Sequence, residues 1–523
     1  MSRIGSGWRK CMVVVGVLAL VLPLLLVWAT PVSAATLCVN TGGTGGCYGS
    51  IQDAVDAANG GDVIEVYPGT YDESVNLSTM NSVGDLTLVT VNNAGTPTPG
   101  TVTVHYSAQE AELFTNPSLD GDLTIDGFIV HSAYPGIEVQ VDGGAGANRD
   151  LVIRNVTATE TADDGIRVSA DGNVTISNCI GSDNDQTGIH VAGVGGVAVV
   201  TDCTANGNGD YGILVDVPGP ATREAGLAAG AAGDGVTITN CTANDNEEDG
   251  FFVVGTTVDG VQAVNGGNVT ISNCTAIGNG ESGFDPVRIS GQLTIQGCLM
   301  QDNDDGVDLD EMSMAAGVLV NGNIICGNDC GVDNVVPQLN AEGNWWGCPD
   351  GPEAAGCDPI CQIDSIAVDF TPWISKISGS ATVDPAVVGE PTLVKFQFHG
   401  GPPAVYLGQG PGDLRGPAPF TVHTDNGALN GNGATVEEFI NAPNGNLQVT
   451  LVPDTPGAAT VTVSGPCGLS DLEGATEVVQ VVAAAEFVPE PASVLLLGSG
   501  LMGLAGYAAL RLRSGQGLRL RKR

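Results

Sequence analysis

The sequence predicts an all-β chain, a solenoid of stacked coils followed by a small β-sandwich, and three observations carry that expectation. Five cysteines fall at the same place in near-copies of one phrase: VTISNC ending at Cys179, VVTDC at Cys203, VTITNC at Cys241, VTISNC at Cys274 and LTIQGC at Cys298. A glycine and an apolar residue follow each copy eight or nine positions later, at Gly188-Ile189, Gly212-Ile213, Gly250-Phe251, Gly283-Phe284 and Gly306-Val307. Aligning on that glycine adds Gly136, Gly165 and Gly331, and puts Phe128, Val156 and Asn323 into the cysteine column. Such a column faces inward, and intervals of 23 to 38 residues describe stacked coils instead of a closed domain.

Each coil is expected to hold two or three short strands. Val174 to Cys179 alternates apolar and polar residues with β-branched side chains, as a half-buried strand does. A polar turn, Asp183 to Gly188, leads into a second strand, Gly188-Ile189-His190-Val191. Asn, Asp and Gly at the turns suit positive φ and local side-chain hydrogen bonds. No useful helical period separates the strands.

The flanks follow. Residues Ser50 to Asn59 form a short amphipathic helix with Ile51, Ala54, Val55 and Ala58 on one face, which would cover the open N-terminal end. At the other end Asn344-Trp345-Trp346-Gly347 and Phe370-Thr371-Pro372-Trp373 are expected to form the C-terminal cap. With the run from Ala58 through Gly61-Asp62 to Pro68-Gly69-Thr70-Tyr71, residues 35–376 resemble the right-handed parallel β-helix repeat family of the pectin lyase-like superfamily. The resemblance implies the fold and says little about activity. Residues 377–485 change pattern: alternating strands between Gly/Pro-rich turns suggest an immunoglobulin-like sandwich acting as a stalk.

The ends give an address. Residues 1–34 carry basic residues, an apolar stretch and Val32-Ser33-Ala34, a secretory signal with signal peptidase cleavage expected between Ala34 and Ala35. Retention as an anchor is the alternative. Residues 486–523 hold Pro489-Glu490-Pro491, an apolar run from Val494 to Leu510 expected to be a transmembrane helix, and a basic tail. This tripartite tail resembles the PEP-CTERM sorting signal, which implies an exosortase partner, cleavage near Pro491, and a Gram-negative bacterium that makes extracellular polysaccharide. A plain membrane anchor is the alternative.

Between residues 35 and 486 only eight Lys and Arg face 58 Asp and Glu, a charge near −50. That excludes nucleic acid as a partner and favours solubility, divalent cations or a cationic partner. Asp183, Asp185, Asp210, Asp245, Asp249, Asp302, Asp304 and Asp305 are expected to stack along one edge of the solenoid. Like charges about 4.8 Å apart repel by roughly 0.9 kcal/mol even in water, and calcium as a cofactor would relieve this. Plain solvation is the alternative. For the thirteen cysteines beyond the leader, the five-membered column is expected to stay as buried free thiols, with zinc as the alternative. Disulfides are expected among Cys38, Cys47, Cys326, Cys330, Cys348, Cys357 and Cys361: Cys38 with Cys47, Cys348 with Cys357 or Cys361, and Cys326 with Cys330, leaving Cys467 free.

Catalytic signals are sparse. Arg154 and Arg167 lie one strand apart in one coil and are candidates to share a face. Ser282-Gly283-Phe284-Asp285-Pro286-Val287 resembles the YGFDPH motif of mannuronan C5-epimerases, in which Tyr, Asp and His carry catalysis. Of those three only Asp285 matches, so the natural proton carriers are missing. The expectation is an exported structural or polysaccharide-binding rod of the cell surface or matrix. A polysaccharide lyase, hydrolase or epimerase is the alternative, and carboxylates meeting Arg or His from different coils would favour it.

Overall fold

The computed structural model describes residues 34–484, apart from 107–113, 142–148, 218–234, 263–266, 313–316, 363–367, 400–419, 439–445, 469–473 and isolated positions between them. The leader and the sorting tail therefore lie outside the described residues. The chain winds as a right-handed parallel β-helix with three faces. Sheet A stacks twelve parallel strands from Thr36–Val39 to Leu339–Asn340 in chain order. Sheet C stacks eleven, from Val75–Asn76 to Ile360–Gln362. Sheet B is a five-stranded and a three-stranded piece joined by single bridges through Ile180, Thr204, Thr242 and Thr275.

The alternation expected of each coil sets which residues go in. In Val174–Ser177 the strand pairs Val174 with Ala198 and Ile176 with Val200, and all four are buried. The corner after sheet A needs one residue in the left-handed region. Asn155, Asn178, Asp202, Asn240 and Asn273 fill it at φ between 52° and 57°, and Gly127, Gly297 and Gly322 fill it elsewhere. The next residue turns inward. Phe128, Val156, Cys179, Cys203, Cys241, Cys274, Cys298 and Asn323 are all buried, so the column inferred from the repeat is a core column.

A second internal column escaped the repeat alignment. Asn184, Asn208, Asn246, Asn279, Asn303 and Asn328 are buried at the corner after sheet B. Each of the first five side-chain Nδ2 groups donates to the Oδ1 of the next asparagine at 2.8–3.1 Å. Most also donate to a carbonyl of the preceding coil, as Asn208 does to Gly181 O at 3.1 Å. Buried amides are costly unless paired, and here they pair with copies of themselves.

The N-terminal end is closed as expected. The helix Ile51–Ala57 is capped by Ser50 and buries Ile51, Ala54 and Val55. Glu73 accepts from Ile51 N and Gln52 N, at 2.7 and 2.9 Å, and so satisfies two donors of the first turn. At the C-terminal end Trp346 turns into the core, and Trp373 packs against it from outside. Trp345 departs from the cap expected of it: it points outward and joins the core of the second unit.

That second unit, residues 376–482, is two β-sheets, one of four strands and one of five, sharing a core that includes Val394, Phe396, Val422, Leu447, Val461 and Val479. Disulfides join Cys38 to Cys47, Cys348 to Cys357, Cys330 to Cys361 and Cys326 to Cys467. Two expectations are corrected. Cys326 does not bridge Cys330, and Cys467 is not free. Cys326 ends a sheet B strand and faces the second unit, whereas Cys330 opens a sheet C strand beside the strand carrying Cys361. The five column cysteines remain free and buried.

Candidate functional site

The outward positions of sheet C carry a surface where charge, aromatic rings and titratable groups from different coils come together. Strand pairing fixes the column: Glu138 beside Arg167, Arg167 beside His190, then Leu214, Phe252 and Asp285. Phe284 pairs with Val307, so Asp285 neighbours Asp308, which pairs with Asp333. Successive members stand about 4.8 Å apart, the parallel-strand spacing.

The first third is an ion-pair network. Buried Asp164 holds His190 Nδ1 at 3.0 Å and Arg167 Nη1 at 3.6 Å through one oxygen, while its other oxygen accepts from Thr187 N. Asp216 approaches His190 Nε2 at 3.5 Å. Burial works to lower the His190 pKa, but the hydrogen bonds to Asp164 and Asp216 outweigh it and hold the ring above its ordinary value. The middle third is aromatic. The rings of Tyr211 and Phe252 stack with centroids 4.7 Å apart and planes 15° apart. Burial and a hydrogen bond to Glu248 raise the Tyr211 hydroxyl well above its usual range.

The last third is acidic, and the cation that the described ion pairs bring to its edge, Arg288, is taken up by Glu311 at 3.1 Å. Burial, with Asp249 and Asp308 nearby, pushes Asp285 up to about 8. Burial takes Asp249 to about 7, and Asp305 and Asp308 to about 6. Asp249 Oδ1 accepts from Ser282 N at 2.7 Å, and Asp333 Oδ1 is buried with no hydrogen-bond partner. At neutral pH such a group contains carboxyls with and without their proton side by side.

The other expected residues fall elsewhere. Asp183, Asp245 and Asp302 occupy a left-handed corner after sheet B, but Gly207, Gly278 and Gly327 alternate with them. A Cβ on Gly207 would lie 2.9 Å from Asp183 Oδ1, so each carboxylate rests over the glycine of the next coil. This interleaving relieves the repulsion among Asp183, Asp245 and Asp302. Asp185 and Asp304 are exposed beside that corner, and Asp210, Asp249 and Asp305 belong to the approach to sheet C. Among the described residues no three His, Cys, Asp or Glu gather as a metal-binding group. The eight carboxylates therefore do not converge on one shared point for calcium.

Arg154 and Arg167 do not share a face. Arg154 lies on sheet A, 2.8 Å from Asp126, and Arg167 lies on sheet C. Ser282 and Val287 are buried, so the two positions flanking Asp285 in the epimerase-like hexapeptide are not presented at the surface. Asp308, Asp333, Phe252 and Tyr211 were not singled out from sequence. The signal was present: the residue after each Gly-apolar pair is the outward column, reading Glu138, Arg167, His190, Leu214, Phe252, Asp285, Asp308 and Asp333.

Comparison with known proteins agrees with the architecture. The Pel9A-like right-handed β-helix region family matches residues 32–291, and the PEP-CTERM protein-sorting motif matches residues 487–513. No curated protein matches the chain. Among solved structures, pectate lyase Pel9A is 17% identical over 66% of this chain and 80% of its own, with a TM-score of 0.41. A rhamnogalacturonan lyase is 14% identical over 65% and 87%, with a TM-score of 0.33. The Azotobacter vinelandii mannuronan C-5 epimerase AlgE6 A-module is 19% identical over 62% and 92%, with a TM-score of 0.35. These likenesses carry no functional weight. The sorting motif implies exosortase processing during export to the surface of a Gram-negative bacterium. Residues 32–291 match the model of the Pel9A-like right-handed β-helix region, and the chain is an exported β-helix protein bearing a PEP-CTERM sorting signal.

Proposed function

We propose that this protein is a cell-surface or matrix rod that binds extracellular polysaccharide along the outward column of sheet C. The observation that carries the reading is the Tyr211–Phe252 stack flanked by His190 and Arg167 on one side and by Asp285 and Asp308 on the other. Stacked rings offer a flat apolar surface to a sugar ring, and flanking polar groups fix its hydroxyls. A body charge near −50 disfavours polyuronates and favours neutral or amino-bearing glycans. In this reading the signal peptide is removed after Ala34. A C-terminal transmembrane helix holds the precursor in the inner membrane until exosortase cuts near Pro491, and the second unit is an immunoglobulin-like sandwich between rod and membrane.

Affinity electrophoresis of the exported chain in gels carrying neutral, amino-bearing or uronate polysaccharides tests this. Retardation by a neutral or amino-bearing glycan, weakened at least about fivefold in Phe252→Ala or Tyr211→Ala, is expected for anchor residues. Unchanged mobility in all three gels overturns the reading.

A hydrolase is the second reading, favoured by the split titration of Asp285 and Asp308 on adjacent coils. One carboxyl keeps its proton to protonate the leaving oxygen. The other, on the next coil and about 5 Å away, has lost its proton and attacks the sugar carbon as the bond to that oxygen breaks. Water then hydrolyses the glycosyl ester with the first carboxylate as base. Release of reducing ends that disappears in Asp285→Asn supports it. Arg167 and His190, both tied to Asp164, are poorly placed as the free base of a lyase.

A further inference from the structure

The outward column of sheet B changes character at one coil. It reads Thr157, Ile180, Thr204, Thr242 and Thr275, then Leu299, Ile324 and Trp345. Thr204, Thr242 and Thr275 suit a face washed by solvent, and Ile180 is 41% exposed on it. Leu299 and Trp345, although they too point away from the β-helix core, are 2% and 1% exposed because the second unit covers them. They share one apolar cluster with Ile374, Ile377, Phe398 and Phe420. Trp345 Nε1 donates to Cys467 O at 3.1 Å, and Cys467 is bonded to Cys326 in the neighbouring outward column. The bridge spans 141 residues of sequence, with its Cα atoms 5.9 Å apart, which is within disulfide reach.

We propose that Cys326–Cys467 is a redox latch. It closes only in the oxidising space outside the cytoplasm and fixes the second unit on the apolar step Leu299, Ile324 and Trp345. The closing reaction joins two thiols with loss of two protons and two electrons to a disulfide oxidant, which leaves as a dithiol. Closed, the latch makes rod and second unit one body, so that the strand Thr476–Val482, which the sorting tail follows in the sequence, has a set direction relative to sheet C. Reduced, the second unit is held among the described residues by apolar contact and by the hydrogen bonds of Trp345 Nε1 to Cys467 O and of Cys467 Sγ to Gln301 Oε1, and it swings about residues 374–376, uncovering the step. This reading does not depend on any activity of sheet C.

The exported chain is digested without reductant and mapped by mass spectrometry, and its scattering is compared with those of Cys467→Ser and of the double variant Leu299→Thr, Ile324→Thr. A Cys326–Cys467 peptide is expected in the wild type. Cys467→Ser should gain a second melting transition, a larger radius of gyration and cleavage near residue 375 by a protease that spares the wild type. The threonine variant, which continues the upstream column, should open on mild reduction but stay closed when oxidised. A Cys326–Cys330 peptide overturns the latch. So does a Cys467→Ser chain with one transition and an unchanged radius of gyration, even when its far-ultraviolet spectrum shows it folded.

Discussion

Asn328 Nδ2 donates to Asp358 Oδ2 at 2.7 Å, and that bond closes a run of side-chain amides that opens at Thr161. Asp358 also accepts from Asn328 N and Gly327 N, so the last member of the run only receives. Replacing a middle member, Asn246→Ala, strips the Oδ1 acceptor from Asn208 Nδ2 and N and leaves Asn279 Oδ1 with only the backbone N–H of residue 246 from that side. The expected loss is about 1–3 kcal/mol for the groups left unpaired. Urea unfolding of variant and wild type measures it.

The cysteine column tolerates shape and rejects charge. Cys241→Val should cost no more than about 1.5 kcal/mol, since Val156 fills the same column and the swap is near in volume. Cys241→Asp buries an unpaired carboxylate and should cost about 3–5 kcal/mol. Equal melting temperatures for wild type and the aspartate variant would refute the inward register.

Acidic crowding on sheet C gives stability a sign against pH. Asp249, Asp285, Asp305 and Asp308 hold their protons more tightly folded than unfolded. The folded state thus binds more protons across the window from about pH 4 to pH 8. The stability they allow is present at the acid end and is lost as pH rises through their folded pKa values. The melting temperature should fall between pH 5 and pH 8, and Asp285→Asn should flatten the fall and raise the value at pH 8. A melting temperature that climbs over this range in the wild type contradicts the assignment.

Thiol chemistry separates the two cysteine populations. In the folded chain the five free thiols are buried and should not react with a thiol reagent, whereas after unfolding without reductant five equivalents should react. Seven would point to one missing bridge.

The sorting tail predicts the mass of the released protein. Protein recovered from the cell surface should end near Pro491 and lack the basic terminus, and intact-mass measurement decides it. Recovery of Arg523 on released protein would point to a retained anchor.

The coil register was legible because one inward column is filled by a chemically distinctive residue. Cysteine at 179, 203, 241, 274 and 298 fixed it, and the glycine eight or nine residues later fixed the next sheet. The asparagine column was hidden in turns whose Asn, Asp and Gly content looks like ordinary solvent exposure, although Asn208 and Asn246 are buried. The site was only partly legible. Asp285 drew notice through a hexapeptide, yet its partners Asp308 and Asp333 come from later coils and share no motif with it. Pairings such as Cys326 with Cys467 depend on how the second unit docks, which no local pattern encodes.

The amide run has a direction, and that constrains how such a protein changes length. Every Nδ2 points toward the next coil, so a whole coil carrying its own asparagine can be inserted or lost between Asn184 and Asn328 and the donors still meet acceptors. Ending the rod early is another matter: the final amide would face outward with nothing to receive it. Asp358 is a terminator that donates nothing from its carboxylate, and it is supplied by a cap segment rather than by a repeat. Length is therefore free to drift by duplication while the stop is kept, which is how a polymer with an end group grows.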